Sequence, residues 1–372
     1  MRCLLIVPSL ARAGAETQLV ALANGIADRG HDVHLLTFER NIDQVTSLSR
    51  SVRHHAAGRM WKYDLSYTRD IAHVIHCEGI QVLHTTMEFG LLAGWVGRLR
   101  SQARLPLVAS LHTTLSRSHK YNYQVRFLYR YLLRHCARIV FVCKNQREYW
   151  GRRFPELDRL SVVIHNGVSL DRFQPHEWVD EGGNLRERVG IPTAAVVFGC
   201  VAGFRPEKAH HTLLEAFSRA PETAHMLLAG DGPLRSEIED RVAGLGLSDR
   251  THFLGEVTDC RPVIAACDAM VLTSISETFP MAMLESMAMG VPMISPAIGG
   301  LPEAIQDGQT GWLVPMGNPV ALAQQMQCIV KDPSQVVSIG ARARQVVHDR
   351  YTETRMVDQT VDLLENVVAG HT

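Results

Sequence analysis

Residues 274–295 read SISETFPMAMLESMAMGVPMIS. The apolar run AMVLTS (269–274) leads into them, and the stretch closes on a second run, VPMIS (291–295). Between the two lies a helix-compatible segment, MAMLESMAMG, with Pro280 in its first turn and Gly290 as its stop. This is a strand–helix–strand unit. Glu277 then stands at the carboxyl end of a strand, and Glu285 lies more than a turn inside the helix. The first amides of that helix, near Met281 and Ala282, favour an anion together with the helix dipole. A carboxylate on each side can accept hydrogen bonds from neutral hydroxyls. A ligand carrying hydroxyl, phosphate and hydroxyl in that order fits, as a nucleotide sugar does. A surface loop and a solvated helix face would show the same spacing. Against that stand the apolar neighbours of Glu285, namely Met281, Ala282, Leu284, Met287 and Ala288, because a buried carboxylate needs partners.

The same alternation extends outward. AVVFGCVAG, HMLLAGDG and THFLGEV precede the stretch as strands, with helix patterns between them. In the first half CLLIV, DVHLLTF, QVLHTT, PLVASLH, RIVFVC and SVVIHNG play that part, and ETQLVALANGIADRG joins the first two as a helix. Near-continuous apolar strands indicate parallel sheets covered on both faces. A polar stretch, QPHEWVDEGGNLRERVG, separates the halves and reads as a linker into a short helix. The expected fold is α/β, with two Rossmann-like doubly wound domains facing a central cleft. The domains are placed at residues 1–178 and 179–350, and a last helix at 351–372 is free to pack back on the first. Ligands of such sheets bind at the carboxyl ends of the strands.

Several residues fall at those ends. Arg205 and Lys208 in VAGFRPEKAHH are cations suited to phosphate, although a solvated turn looks alike. Gly14 in ARAGAETQ lets backbone approach a ligand at a helix start. His112 ends the run SLH. Neither H-E-x-x-H, D-x-D, G-x-S-x-G nor a phosphate-binding P-loop is present, so neither a dedicated metal nor a cofactor is expected.

At 372 residues, 46% hydrophobic and 20% charged, the chain has an ordinary globular composition, and its formal net charge of zero names no partner. The eight cysteines form no C-x-x-C and sit among apolar neighbours, which reads as buried, reduced thiols and a cytoplasmic setting. The opening MRCLLIVPSL is too short in apolar length for a membrane span and reads as a first strand.

Taken together these motifs resemble glycosyltransferase family 4, retaining sugar transferases of the GT-B architecture. The carriers are the E-x(7)-E spacing of Glu277 and Glu285, FRPEKAHHTLLEAF, LLAGDGPLRSEIE, THFLGEV and IGGLPEAIQDGQTGWLVP. Looser matches are GAETQLVALA, LHTT and HNGVSLDRF. The resemblance implies transfer of a sugar from a nucleoside diphosphate sugar, a uridine donor by family frequency, to a saccharide or lipid-linked acceptor. It implies that Glu277 binds hydroxyls of the donor sugar and Glu285 the ribose. The backbone of Thr278, Phe279, Pro280 and Met281 would meet the diphosphate or sugar, and Lys208 the diphosphate. Gly255, Glu256 and Val257 would wall the base, Gly14 would touch the donor phosphate, and His112 would lie near the reacting sugar. Two positions depart from the family pattern: Gly203 stands where an arginine is common, and Ala13 where a glycine is. The alternatives are a nucleotide-sugar epimerase or phosphorylase of similar architecture, and a non-catalytic nucleotide-sugar-binding partner.

From Arg98 to Arg153 there are thirteen basic residues and one acid, Glu148. YNYQVRFLYRYLLRHCAR interleaves aromatics and Leu with Arg at helical spacing. This reads either as a core-facing helix with a solvated basic face or as a face for anionic lipid on the inner side of the membrane. No nucleic-acid module is recognisable.

Overall fold

The structure is a computed structural model that describes residues 1–59, 64–112 and 125–371, with only the backbone of 125 and 126. It divides into two units, Met1–Gly167 with Glu353–Thr372, and Val168–Thr352.

The first unit is a seven-stranded parallel sheet. Its strands are β1 (Arg2–Val7), β2 (Asp32–Thr37), β3 (Val52–Ala56), β4 (Val82–Thr86), β5 (Leu107–Leu111), β6 (Arg138–Phe141) and β7 (Ser161–Val163), in the order β3-β2-β1-β4-β5-β6-β7. Period-two alternation sends β1 into two cores. Cys3, Leu5 and Val7 join the helices Gly14–Asp28 and Glu353–Ala369, while Leu4 and Ile6 join a core that includes Ile71 and Leu91. The last helix lies close against the first because Gly25 faces Val357: a Cβ at Gly25 would stand 2.6 Å from Val357 Cγ2. Arg29 Nε adds a 2.7 Å bond to Asp358.

The second unit has six parallel strands, β8 (Val196–Val201), β9 (Ala224–Ala229), β10 (Thr251–Gly255), β11 (Ala269–Val271), β12 (Met293–Pro296) and β13 (Trp312–Val314), in the order β10-β9-β8-β11-β12-β13. Phe198, Phe204, Phe217 and Met326 are fully buried in its core. Each such side chain contributes roughly 1.5–3 kcal/mol relative to exposure. Both units are therefore doubly wound. Strand order reverses between β1 and β4 in one sheet and between β8 and β11 in the other.

Several details differ from expectation. The division falls after Gly167, not 178, because residues 168–178 bond to the second unit: Val168 N donates to Tyr351 O, and Arg344 reaches Phe173 O and Gln174 Oε1. The pair Gly182-Gly183 is not linker but lies inside the helix Val179–Arg188. A Cβ on Gly182 would come 2.7 Å from the Ala265 carbonyl carbon, so glycine lets this helix touch the helix Arg261–Ala265. Nor are all the thiols buried: Cys77 and Cys328 are exposed and Cys260 is half-buried. Cys77 closes the helix Thr68–Cys77 on its solvent side, and Cys328 lies on the outer face of Pro319–Lys331.

Candidate functional site

In the second unit, the reversal point is occupied by the loops that follow β8 and β11. After β8 the chain is anchored by Phe204, which is fully buried and donates its N–H to Asp231 O at 2.8 Å. Arg205 follows, exposed, then one tight turn, Pro206–Lys208. Ala209 takes a left-handed conformation with φ of 49° and launches the helix His210–Phe217. A Cβ on Gly203 would stand 3.7 Å from Arg205 Nε, so the Arg205 side chain folds back over the place a side chain at 203 would start from.

Three bonds tie this loop to the one after β11. Thr273 Oγ1 donates to Lys208 O at 2.9 Å, Ile275 N donates to Glu207 O at 2.9 Å, and Lys208 Nζ donates to Glu277 Oε1 at 2.6 Å. The two charged side chains are 25% and 10% exposed. The Glu277 backbone is pressed from behind by Gly299, at φ of 55°, where a Cβ would come 2.1 Å from Glu277 O. Thr278 O accepts from Gly300 N at 2.6 Å. Phe279 is buried against Tyr351, ring centroids 5.1 Å apart, so this residue can offer a ligand only backbone. Pro280, with φ −71° and ψ 139°, caps the helix Met281–Ala288. Met283 N makes its bond back to Pro280 O at 3.3 Å. The amides of Met281 and Ala282 come ahead of that bond, where a helix start leaves its donors open to a ligand.

Glu285 lies in this helix and receives a bond from Cys260 Sγ to Oε2 at 3.4 Å. Burial raises its pKa above the usual carboxylate value, while the Cys260 bond and the Arg172 charge pull the other way. Cys260 follows the turn after β10, in which Gly255 has φ of 70° and accepts from Gly230 N at 2.7 Å. Glu256 is exposed and Val257 half-buried there. Asp259 holds Arg261 through both carboxylate oxygens, at 2.8 and 2.6 Å, and Arg261 lies 4.1 Å over the Trp178 ring.

In the first unit, Gly14 is the exposed first residue of the helix Gly14–Asp28, and His112 directly follows β5. Both are at the carboxyl edge of their own sheet. His112 Nε2 is 3.1 Å from Ser110 Oγ, and burial lowers its pKa to about 4. Buried His84 on β4 is lowered to about 4 for the same reason.

The site residues expected in the second half thus share one edge of one sheet, with Lys208 and Glu277 in contact. Thr273, Cys260 and Gly299 were not foreseen. Thr273 closely follows β11 and Cys260 precedes the helix Arg261–Ala265, but their partners are 65 and 25 residues away in sequence. Among the described residues no group of three or more His, Cys, Asp or Glu is placed to hold a metal ion.

The basic segment is less one-sided than its count. Arg130 pairs with Glu156 at 2.5 Å and Arg147 with Asp158 at 2.9 Å, acids just beyond the stretch. Arg104, Arg134, Arg138 and Lys144 are exposed, as are Phe127, Leu128 and Tyr131. Arg117, Lys120 and the Arg126 side chain lie outside the described residues. Among the described residues no helix is long and apolar enough to cross a membrane.

Comparison with known proteins gives consistent matches for both units. Residues 12–172 match the family model for Glycosyltransferase Family 4, and residues 195–332 the model for Glycosyl transferases group 1. N-acetyl-alpha-D-glucosaminyl L-malate synthase of Bacillus anthracis is 25% identical over 91% of this chain and 90% of its own. A D-inositol 3-phosphate glycosyltransferase of Thermomonospora curvata is 28% identical over 96% and 90%. The solved structure of Anabaena HepE in complex with UDP-glucose superposes with a TM-score of 0.87 at 22% identity, over 98% of this chain and all of that one.

Proposed function

The chain belongs to glycosyltransferase family 4 and has the GT-B architecture, and on that premise we propose that it transfers a sugar from a uridine diphosphate sugar to a saccharide or lipid-linked acceptor, with retention and without a dedicated metal. The observation that carries this reading is the Lys208–Glu277 contact at the point where the second sheet reverses its strand order. Doubly wound sheets bind nucleotides there. Glu277 would accept hydrogen bonds from donor-sugar hydroxyls, and Glu285 from the ribose. Lys208, Arg205 and the amides at Met281 and Ala282 would meet the diphosphate. Arg205, whose Nε lies 3.7 Å from where a Cβ on Gly203 would stand, would supply the cation that the departure at 203 removes.

In the reaction the bond from the sugar's anomeric carbon to phosphate breaks, and UDP departs with the electron pair. The acceptor hydroxyl oxygen bonds to that carbon, and its proton leaves with the departing diphosphate. The positive groups stabilise the charge growing on the leaving group. Removing one preorganised donor of this kind costs about 3–4 kcal/mol in the barrier. Uridine is favoured because the HepE structures hold UDP and UDP-glucose. Titration calorimetry with uridine, guanosine and adenosine diphosphates tests the choice of base. Saturable binding of UDP well ahead of the others supports it, and equal or no binding of UDP refutes it.

A second reading concerns the first unit. Exposed Phe127, Leu128 and Tyr131 stand in a segment with exposed Arg104, Arg134, Arg138 and Lys144, and this combination suits a surface of anionic lipid. Such a surface would hold the enzyme beside a lipid-linked acceptor. Sedimentation with vesicles should show binding to anionic lipid that salt weakens. Equal binding to neutral vesicles, or none, rejects this reading.

A further inference from the structure

The first unit lines a small, partly open cavity of about 30 Å³ at the carboxyl ends of β4 and β5. Its polar lining comprises His84, Thr86, Ser110 and His112 from the strand ends with Gln18, Asn166 and Thr360, and its apolar side includes Leu19 and Met356 from the two packed helices. Strand register explains the grouping. Thr86 is paired with Ser110 across β4 and β5, and the period of two then puts His84, Thr86 and Ser110 on one face of the sheet. His84 and Thr86 are 3% and 1% exposed. Among the described residues, neither His84 Nδ1 nor Thr86 Oγ1 has a hydrogen-bond partner. Two orphaned polar atoms facing one cavity are unusual, since buried polar groups are normally satisfied by protein or by ordered water. The cavity has room for at least one water, and seven polar side chains line it, which is the setting that buried water requires.

We infer that one water molecule is held here, accepting from Thr86 Oγ1 and donating to His84 Nδ1 and Ser110 Oγ, so that the Ser110 hydroxyl donates to His112 Nε2 and the His112 proton resides on Nδ1. Every group then has a partner of the right kind. A Ser110 oxygen that accepts from the water keeps its own hydrogen for His112. Burial keeps both imidazoles neutral, as this pattern of donors and acceptors needs. His84 is thereby a positioning residue: it orients the water, the water orients Ser110, and Ser110 sets the tautomer of His112. The consequence for turnover rests on the proposed role of His112 near the donor sugar, whereas the water and the tautomer do not.

The test is histidine nitrogen NMR on the full-length protein. Two-bond proton–nitrogen spectra distinguish the two neutral tautomers. The wild type should show His112 as a single Nδ1–H tautomer between about pH 6 and 9, above its lowered pKa. Ser110→Ala and Thr86→Val should each turn it into a mixture. Thr86→Val is isosteric and keeps the cavity's shape, so it stays readable if another variant misfolds. An Nε2–H tautomer in the wild type overturns the inference. So does an unchanged spectrum in both variants, or a high-resolution crystal structure without water between His84 and Thr86. A lost tautomer with unchanged kcat and KM upholds the water network and removes His112 from the proposed reaction, so the two readings fail separately.

Discussion

Lys208 Nζ donates to Glu277 Oε1 across 2.6 Å, and the bond joins the loops after β8 and β11, 69 residues apart in sequence. The carboxylate competes with any diphosphate for the same ammonium. Glu277→Gln keeps the shape and removes the charge. We expect this variant to bind UDP several-fold more tightly at low salt, because Lys208 is released to the phosphates. Turnover should fall at least a hundredfold, because the donor sugar loses its charged acceptor, an effect of about 3 kcal/mol. Calorimetry and initial rates check both. Weaker UDP binding with near-normal turnover would reject the assignment.

Glu285 carries a pH signature. Its folded pKa is raised, chiefly by burial, so the native state holds that proton more firmly than the unfolded chain does. The stabilisation is complete below the unfolded value of 4.5 and is lost as pH rises through the folded value. Glu285→Gln lacks this loss. Its unfolding free energy should therefore gain on wild type as pH rises from 4 to about 7, read by denaturant melts. A difference that is flat or shrinks over this range would contradict a buried carboxylate. The same variant should raise KM for the donor more than it lowers kcat.

Ala209 sits at φ of 49° between the Lys208 turn and the helix His210–Phe217. A left-handed residue with a Cβ costs about 1–2 kcal/mol. Ala209→Gly should therefore raise the Tm of this unit by about 2–4 °C per kcal/mol regained. Calorimetric scans check it, and a lower Tm would show that the turn is not strained.

The two sheets carry stacked histidine pairs on matching strands. His34 and His55 join β2 to β3 at 5.2 Å between rings, and His225 and His252 join β9 to β10 at 5.4 Å. Burial lowers the pKa of all four from 6.5. Here the unfolded chain binds protons first, so stability is full above pH 6.5 and falls as the medium acidifies. The Tm should drop between pH 7 and 5, and His252→Gln should drop less. A Tm that rises on acidification would refute this.

Most of the fold is legible because both sheets are parallel and covered. Strands such as Leu107–Leu111 and Ala224–Ala229 are buried along their whole length and read as apolar runs. The two strands that sequence reading misses are at sheet edges. β3, VRHHA, pairs on one side only, and its histidines bond Thr37 and His34 rather than apolar neighbours. β13, WLV, also pairs on one side only, and Gly311 and Pro315 cut its apolar run to three residues. The site divides in the same way. Glu277 and Glu285 are local to one strand–helix unit, so their spacing is visible in the chain. The ammonium that meets Glu277, the hydroxyl of Thr273 that fixes Lys208 O, and the thiol on Glu285 arrive by tertiary folding. The water-sized cavity beside His84 arises from strand register and two helices distant in sequence, and no motif marks it.

The central claim is that the Lys208–Glu277 corner stabilises a departing diphosphate while a sugar is transferred. The most direct measurement is steady-state transfer from a UDP-sugar by wild type and by Lys208→Ala, with product anomers assigned by NMR and folding checked by thermal melts. We predict release of UDP matched by a new glycosidic bond of retained configuration in the wild type. In the folded variant, kcat should fall at least a hundredfold. A folded Lys208→Ala enzyme with near-normal kcat, or a product of inverted configuration, would contradict the account.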